Sequence, residues 1–127
     1  MTDSAQGCNN LAWRLATSDQ PHLRNPLLAL ELAKKAVALA PKEGSYWTTL
    51  GAAHYRAGNW KDAIDALHTS IELGHKDGLN WFFLAMAHGQ LGQKDEARKW
   101  YDQAAQWLDP QYEAEAAELL GINKKVP

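Results

Sequence analysis

A chain of 127 residues with a formal net charge of −2 is sized for one domain around a single core. Its 13 basic and 15 acidic residues leave no basic excess to face a phosphate backbone, which argues against nucleic-acid binding. Cys8 is the sole cysteine, so an internal disulfide and a Cys-rich zinc site are excluded, and a reducing, cytoplasmic compartment is expected. No apolar run approaches the roughly 18–20 residues of a membrane span, and "MTDSAQGCNN" lacks the basic-then-apolar pattern of a secretory signal. Abundant Ala and Leu, against scarce Val and Ile, favour helix.

In chain order, "LAWRLAT" reads as a first helix around Trp13 and Ala16, followed by the Pro-containing connection "TSDQPHLRN". Asn25 as N-cap and Pro26 at the first helical position start "PLLALELAKKAVALA", which Pro41 ends. Next, "SYWTTLGAAHYRAG" carries Trp47, Leu50, Gly51 and His54 at helical spacing and stops at Gly58. Asn59 is expected to cap "WKDAIDALHTSIELG", with Asp62 in a capping-box-like place. The third pair repeats this with Trp81, Leu84, Ala85 and His88, then Ala97, Tyr101, Ala104 and Trp107. Asp109-Pro110 starts a seventh helix through about Leu120, with Gly121 as its stop. Its Tyr112, Ala116, Leu119 and Leu120 form an apolar side and Glu113, Glu115 and Glu118 lie elsewhere, as a terminal cap requires.

Four columns recur at an interval of 34 residues: Trp13, Trp47 and Trp81; Ala29, Ala63 and Ala97; Ala36, Ser70 and Ala104; Leu39, Leu73 and Trp107. The chain is a repeat array. The small columns mark close helix crossings, where a larger side chain overpacks, and the Trp and Leu columns are expected to be core. One domain is expected over 1–121, with repeats at about 9–41, 44–75 and 78–109, a cap at about 110–121 and a flexible tail over 122–127.

The W-x-x-L-G of "WTTLGAAHY", the alanine sixteen residues after each Trp and the 34-residue period resemble the tetratricopeptide repeat (TPR). More narrowly, "ELAKKAVALAPKEGSYWTTLGAAHYRAGNWKDAI" is similar to modules of large bacterial proteins that also carry Ser/Thr kinase or WD-repeat domains. The resemblance implies an all-α fold, a right-handed superhelix of three stacked hairpins plus a capping helix, whose first helices line a concave protein-binding groove. Carried over by spacing, the groove side comprises Arg14, Thr48, Ala52, Tyr55, Arg56, Leu79, Phe82, Met86 and Gln90.

Trp81, Phe82 and Phe83 stand side by side in "NWFFLAMAHGQLG". Trp81 is expected between the helices of its own pair and Phe83 toward a neighbouring first helix. Phe82 then joins Leu79 and Met86 in an apolar stripe, which either lies open in the groove or is covered by the cap helix or a second copy. Positions matching the family's carboxylate clamp hold Arg14, Ser18, Thr49, Leu79 and Phe83; only Arg14 keeps the chemistry, so an apolar or amphipathic ligand is implied.

His54 and His88 share a column, but equivalent atoms on stacked helices lie about 10 Å apart, and zinc needs ligands at about 2 Å. They are expected to be packed, hydrogen-bonded core histidines, and no metal or cofactor is expected. There is no Gly-rich phosphate loop, no H-E-x-x-H and no G-x-S-x-G. A non-catalytic interaction module with a protein or peptide partner is the expected function; self-association as a homodimer through the same apolar surface is the alternative.

Overall fold

The computed structural model describes residues 4–18, 20–107 and 109–122. Seven α-helices and no strand occur among them: α1 (Ala5–Thr17), α2 (Pro26–Leu39), α3 (Gly44–Arg56), α4 (Trp60–Glu72), α5 (Gly78–Gln90), α6 (Lys94–Ala105) and α7 (Pro110–Leu120). A short 3-10 turn, Pro21–Leu23, lies in the first connection.

Local chemistry sets the helix ends. Ser4 Oγ accepts from the Gly7 N–H at 2.9 Å, which starts α1 ahead of the first repeat unit. Asn25 Oδ1 accepts from the Leu28 N–H at 3.2 Å, as the Asn-Pro signal predicts. Gly58 and Gly92, at φ 86° and 77°, turn the chain out of α3 and α5. The residues that follow, Asn59 and Gln93, donate their N–H groups back to the carbonyls of His54 and His88, both at 2.9 Å. Gly121, at φ 71°, stops α7 in the same manner. The expected capping role of Asn59 is not formed: its side chain makes no bond to the start of α4 and turns to His54 instead.

Helices α1 with α2, α3 with α4 and α5 with α6 pair as hairpins, and α1, α3 and α5 also touch one another in series. The result is the expected all-α helical-repeat superhelix, closed by α7 against α5 and α6. At the hairpin crossings Ala29, Ala63 and Ala97 are wholly buried, as are Ala36, Ser70 and Ala104. The approach is close: a Cβ on Gly51 would stand 2.6 Å from Leu67 side-chain atoms and 3.3 Å from the Ala63 carbonyl oxygen.

Two columns differ from expectation. Trp13, Trp47 and Trp81 are half-buried, sealing seams between helices; the Trp47 indole donates to the Pro41 carbonyl at 2.8 Å. Leu39, Leu73 and Trp107 are 54%, 41% and 67% exposed, so the column read as core lies outside it. A shared interval marks a shared environment, and at the tail of each second helix that environment is solvent. The largest fully buried apolar side chains are instead Leu67, Leu84, Phe82, Phe83 and Met86. Of the tail expected over 122–127, residues 123–127 lie outside the described residues. Ile122 packs on the core and its N–H reaches the Ala117 carbonyl at 2.8 Å.

Candidate functional site

The stacked first helices present their side chains in two regions. Toward the N-terminal ends of α3 and α5, a cleft of about 560 Å³ opens between three successive first helices. Asn9, Asn10, Trp13 and Arg14 of α1 form one wall; Ser45, Thr48 and Thr49 of α3 form the floor; His75, Asp77 and Leu79 form the other wall. Trp13 and Leu79 supply half-buried apolar surface, and Arg14 is exposed with no ion pair among the described residues. Asp77 shapes its wall: Oδ1 caps α5 through the Leu79 and Asn80 N–H groups at 2.8 and 3.2 Å, while Oδ2 lies 3.0 Å from His75 Nε2.

The cleft floor is fixed from beneath by a buried polar ring. Asn80 Nδ2 donates to Ser70 Oγ at 3.2 Å and Thr48 Oγ1 donates to Asn80 Oδ1 at 2.8 Å. Ser70 and Thr48 hydroxyls meet at 2.8 Å, which closes the ring if Ser70 donates. Asn80 also donates to the His75 carbonyl at 2.6 Å. Thr48, 4% exposed, therefore uses its hydroxyl internally, although it lies where the groove expectation put it.

The other region is occupied. Phe82 is 0% exposed and Met86 2%. Neither lines an open groove; over Phe82, α7 packs on α5 and sets the Tyr112 ring edge-on, with ring centroids 5.2 Å apart. For Phe82 the covering is thus the cap helix. Ala52, wholly buried, is likewise core. Tyr55 is 7% exposed and its hydroxyl accepts from Gln90 Nε2 at 3.1 Å; burial raises its pKa, so it stays a neutral phenol. Arg56 spans the junction: Nε donates to the Ala16 carbonyl at 2.9 Å, and the two terminal nitrogens hold Glu115 of α7 at 2.6 and 3.2 Å. Tyr55, Arg56 and Gln90 line a separate depression of about 440 Å³ with Pro21, Arg24 and Trp60.

Of the nine side chains expected in the groove, Arg14, Thr48 and Leu79 thus come together in the cleft. Asn9, Asn10, Trp13, Ser45, His75 and Asp77 were not anticipated there. Phe83 behaves as expected: it is 0% exposed and reaches Tyr55 of α3 and Trp13 of α1, with ring centroids 5.9 and 6.3 Å away.

Residues 83–106 match the family model of the tetratricopeptide repeat. Among solved structures, a chain of the CopN-Scc3 complex superimposes with a TM-score of 0.63 at 19% identity, covering 94% of this chain and 69% of that one. At that identity the likeness speaks for the fold alone. No curated protein matches the sequence. The repeat match and the shared fold both agree with the helical-repeat array described above.

The paired histidines sit at the hairpin turns of these repeats. His54 Nδ1 faces Asn59 Nδ2 at 3.2 Å, and His88 Nδ1 faces Gln93 Oε1 at 2.6 Å. His54 is buried, whereas His88 is half-buried and its bond exposed, so only the first is a core histidine. Among the described residues no group of three His, Cys, Asp or Glu side chains is placed to hold a metal, and no helix is long and apolar enough to cross a membrane. Burial lowers the His54 pKa below its usual 6.5, against the pull of Asp62 and with help from Lys34. Below pH 6.5 the unfolded chain therefore binds a proton that the folded chain resists. Stability is expected to fall as the pH drops from 6.5 toward the depressed folded value. His54→Gln should flatten that fall, read as the difference between urea midpoints at about pH 7.5 and about pH 5.5. An unchanged slope in the variant would contradict the buried neutral imidazole.

Proposed function

We propose that the protein is a non-catalytic scaffold or adaptor that binds an amphipathic peptide segment in the cleft between α1, α3 and α5. The observation that carries this reading is the cleft itself. It joins two half-buried apolar side chains, Trp13 and Leu79, to an exposed cation, Arg14, over a floor already hydrogen-bonded within the fold. A fitting segment places an apolar side chain against Trp13 and Leu79 and a carboxylate toward Arg14. Asn10 and Asp77 on the walls and Ser45 on the floor offer further polar atoms. A homodimer formed through Phe82 and Met86 is the less supported reading, since both side chains are already inside. The resemblance to modules beside kinase and WD-repeat domains, with Cys8 free and buried, favours an adaptor in the bacterial cytoplasm.

Display selection of random peptides on the immobilised protein tests the proposal. Enriched peptides should pair a large apolar residue with an acidic one. Leu79→Gln and Arg14→Glu should each weaken them by about tenfold or more without changing helicity or molar mass. Binding indifferent to both substitutions would sink it.

A further inference from the structure

The occupied half of the concave face carries a second reading, on residues separate from the cleft. Helix α7 packs mainly on α5 and α6. Its fully covered side chains are only Ala116 and Ala117, which add little apolar area; Tyr112, Leu120 and the following Ile122 are partly buried against the core beside them. The specific contacts come from Tyr112, edge-on to Phe82, and from Glu115, held by both terminal nitrogens of Arg56. Tyr112 and Glu115 are three positions apart and so share one side of the helix. A helix of 11 residues has little stability of its own. The receptor side is different in kind. Arg56 is only 8% exposed, anchored to the Ala16 carbonyl and stacked over Tyr55 and Phe83 at 5.5 and 5.7 Å. That guanidinium is held by the Ala16 carbonyl of the array as well as by α7, and without α7 it loses its carboxylate. Any replacement for α7 must therefore bring an acid to Arg56 and an aromatic ring to Phe82.

We propose that α7 is the displaceable resident ligand of a helix-receptor site formed by Phe82 and Arg56. In trans the site takes an acidic amphipathic helix with an aromatic residue three positions before a glutamate. Such a partner opens the array end by exchanging for α7, so its apparent affinity is reduced by the fraction of molecules in which α7 is docked. The peptide-binding reading of the α1–α5 cleft rests on other residues, so failure of either leaves the other standing.

The test uses a fluorescent synthetic peptide of residues 109–122 and the full chain. Wild-type protein, with its own α7 docked, should bind the peptide at least about tenfold more weakly than the full chain carrying Tyr112→Ala and Glu115→Gln. A peptide with the same two changes should lose binding, and adding Arg56→Met to the double variant should abolish it. Equal affinity for wild type and double variant overturns the proposal. Should the double variant lose its fold by circular dichroism, hydrogen exchange of the wild type decides instead. Amides of α7 exchanging about 100-fold faster than those of α3 and α5 support displacement, and a common rate overturns it. A wild-type dimer with α7 exchanged between copies also overturns it, by giving the site to a second copy.

Discussion

Replacing Phe83 by alanine is expected to cost about 3–5 kcal/mol, a large part of the roughly 5–15 kcal/mol that holds a domain of this kind together. The ring is wholly buried and reaches from α5 to both α3 and α1. It stands edge-on to Phe82 with centroids 4.7 Å apart and beside Tyr55 and Trp13, and Arg56 lies over its face. Truncation therefore opens a cavity bordered by α1, α3 and α5, none of which can move inward without leaving its own hairpin partner. Urea unfolding measures the loss, and a change below about 1 kcal/mol would mean that the seam collapses onto the gap. The half-buried Trp81 next to it should cost less than Phe83, although repeat register alone ranks it first.

Asn80→Ala is expected to cost about 2–3 kcal/mol, for a reason unrelated to apolar area. The amide satisfies the His75 carbonyl and closes the ring through Ser70 and Thr48. Without it a partly buried carbonyl and two buried hydroxyls keep fewer partners than they need. Because the three side chains act together, Ser70→Ala in the Asn80→Ala background should cost clearly less than Ser70→Ala alone. Strict additivity in that cycle, measured by urea midpoints, would refute the ring.

The sequence makes the array legible because its register survives in side-chain size. Small residues recur where helices cross, glycines where the chain turns left-handed at Gly58 and Gly92, and Asn25-Pro26 and Gly121 where helices begin and end. Spacing also sends Phe83 toward its neighbouring first helices, where the structure has it. Register does not report burial, which is why the Leu39, Leu73 and Trp107 column lies in solvent. Nor does an amphipathic pattern name its partner: the apolar side of α7 is plain in the sequence, but that it covers Phe82 is a matter of crossing direction. The polar ring joins residues as far apart as Thr48 and Asn80, beyond any local pattern. Its available signals were Ser70 in a column of alanines and Asn80 within an otherwise apolar helix start. The cleft walls, Asn9, Asn10 and His75, have no periodic signature at all.

The concave face is thus divided between an open cleft, where a partner is proposed to bind, and a half already filled by α7. Chemical-shift mapping of the nitrogen-labelled protein with a selected amphipathic peptide tests that division most directly. The account predicts shifts of the Trp13 indole and of the Arg14, Ser45, Thr49 and Leu79 amides, with α7 undisturbed. Shifts concentrated on the outer faces of α2, α4 and α6 would contradict it.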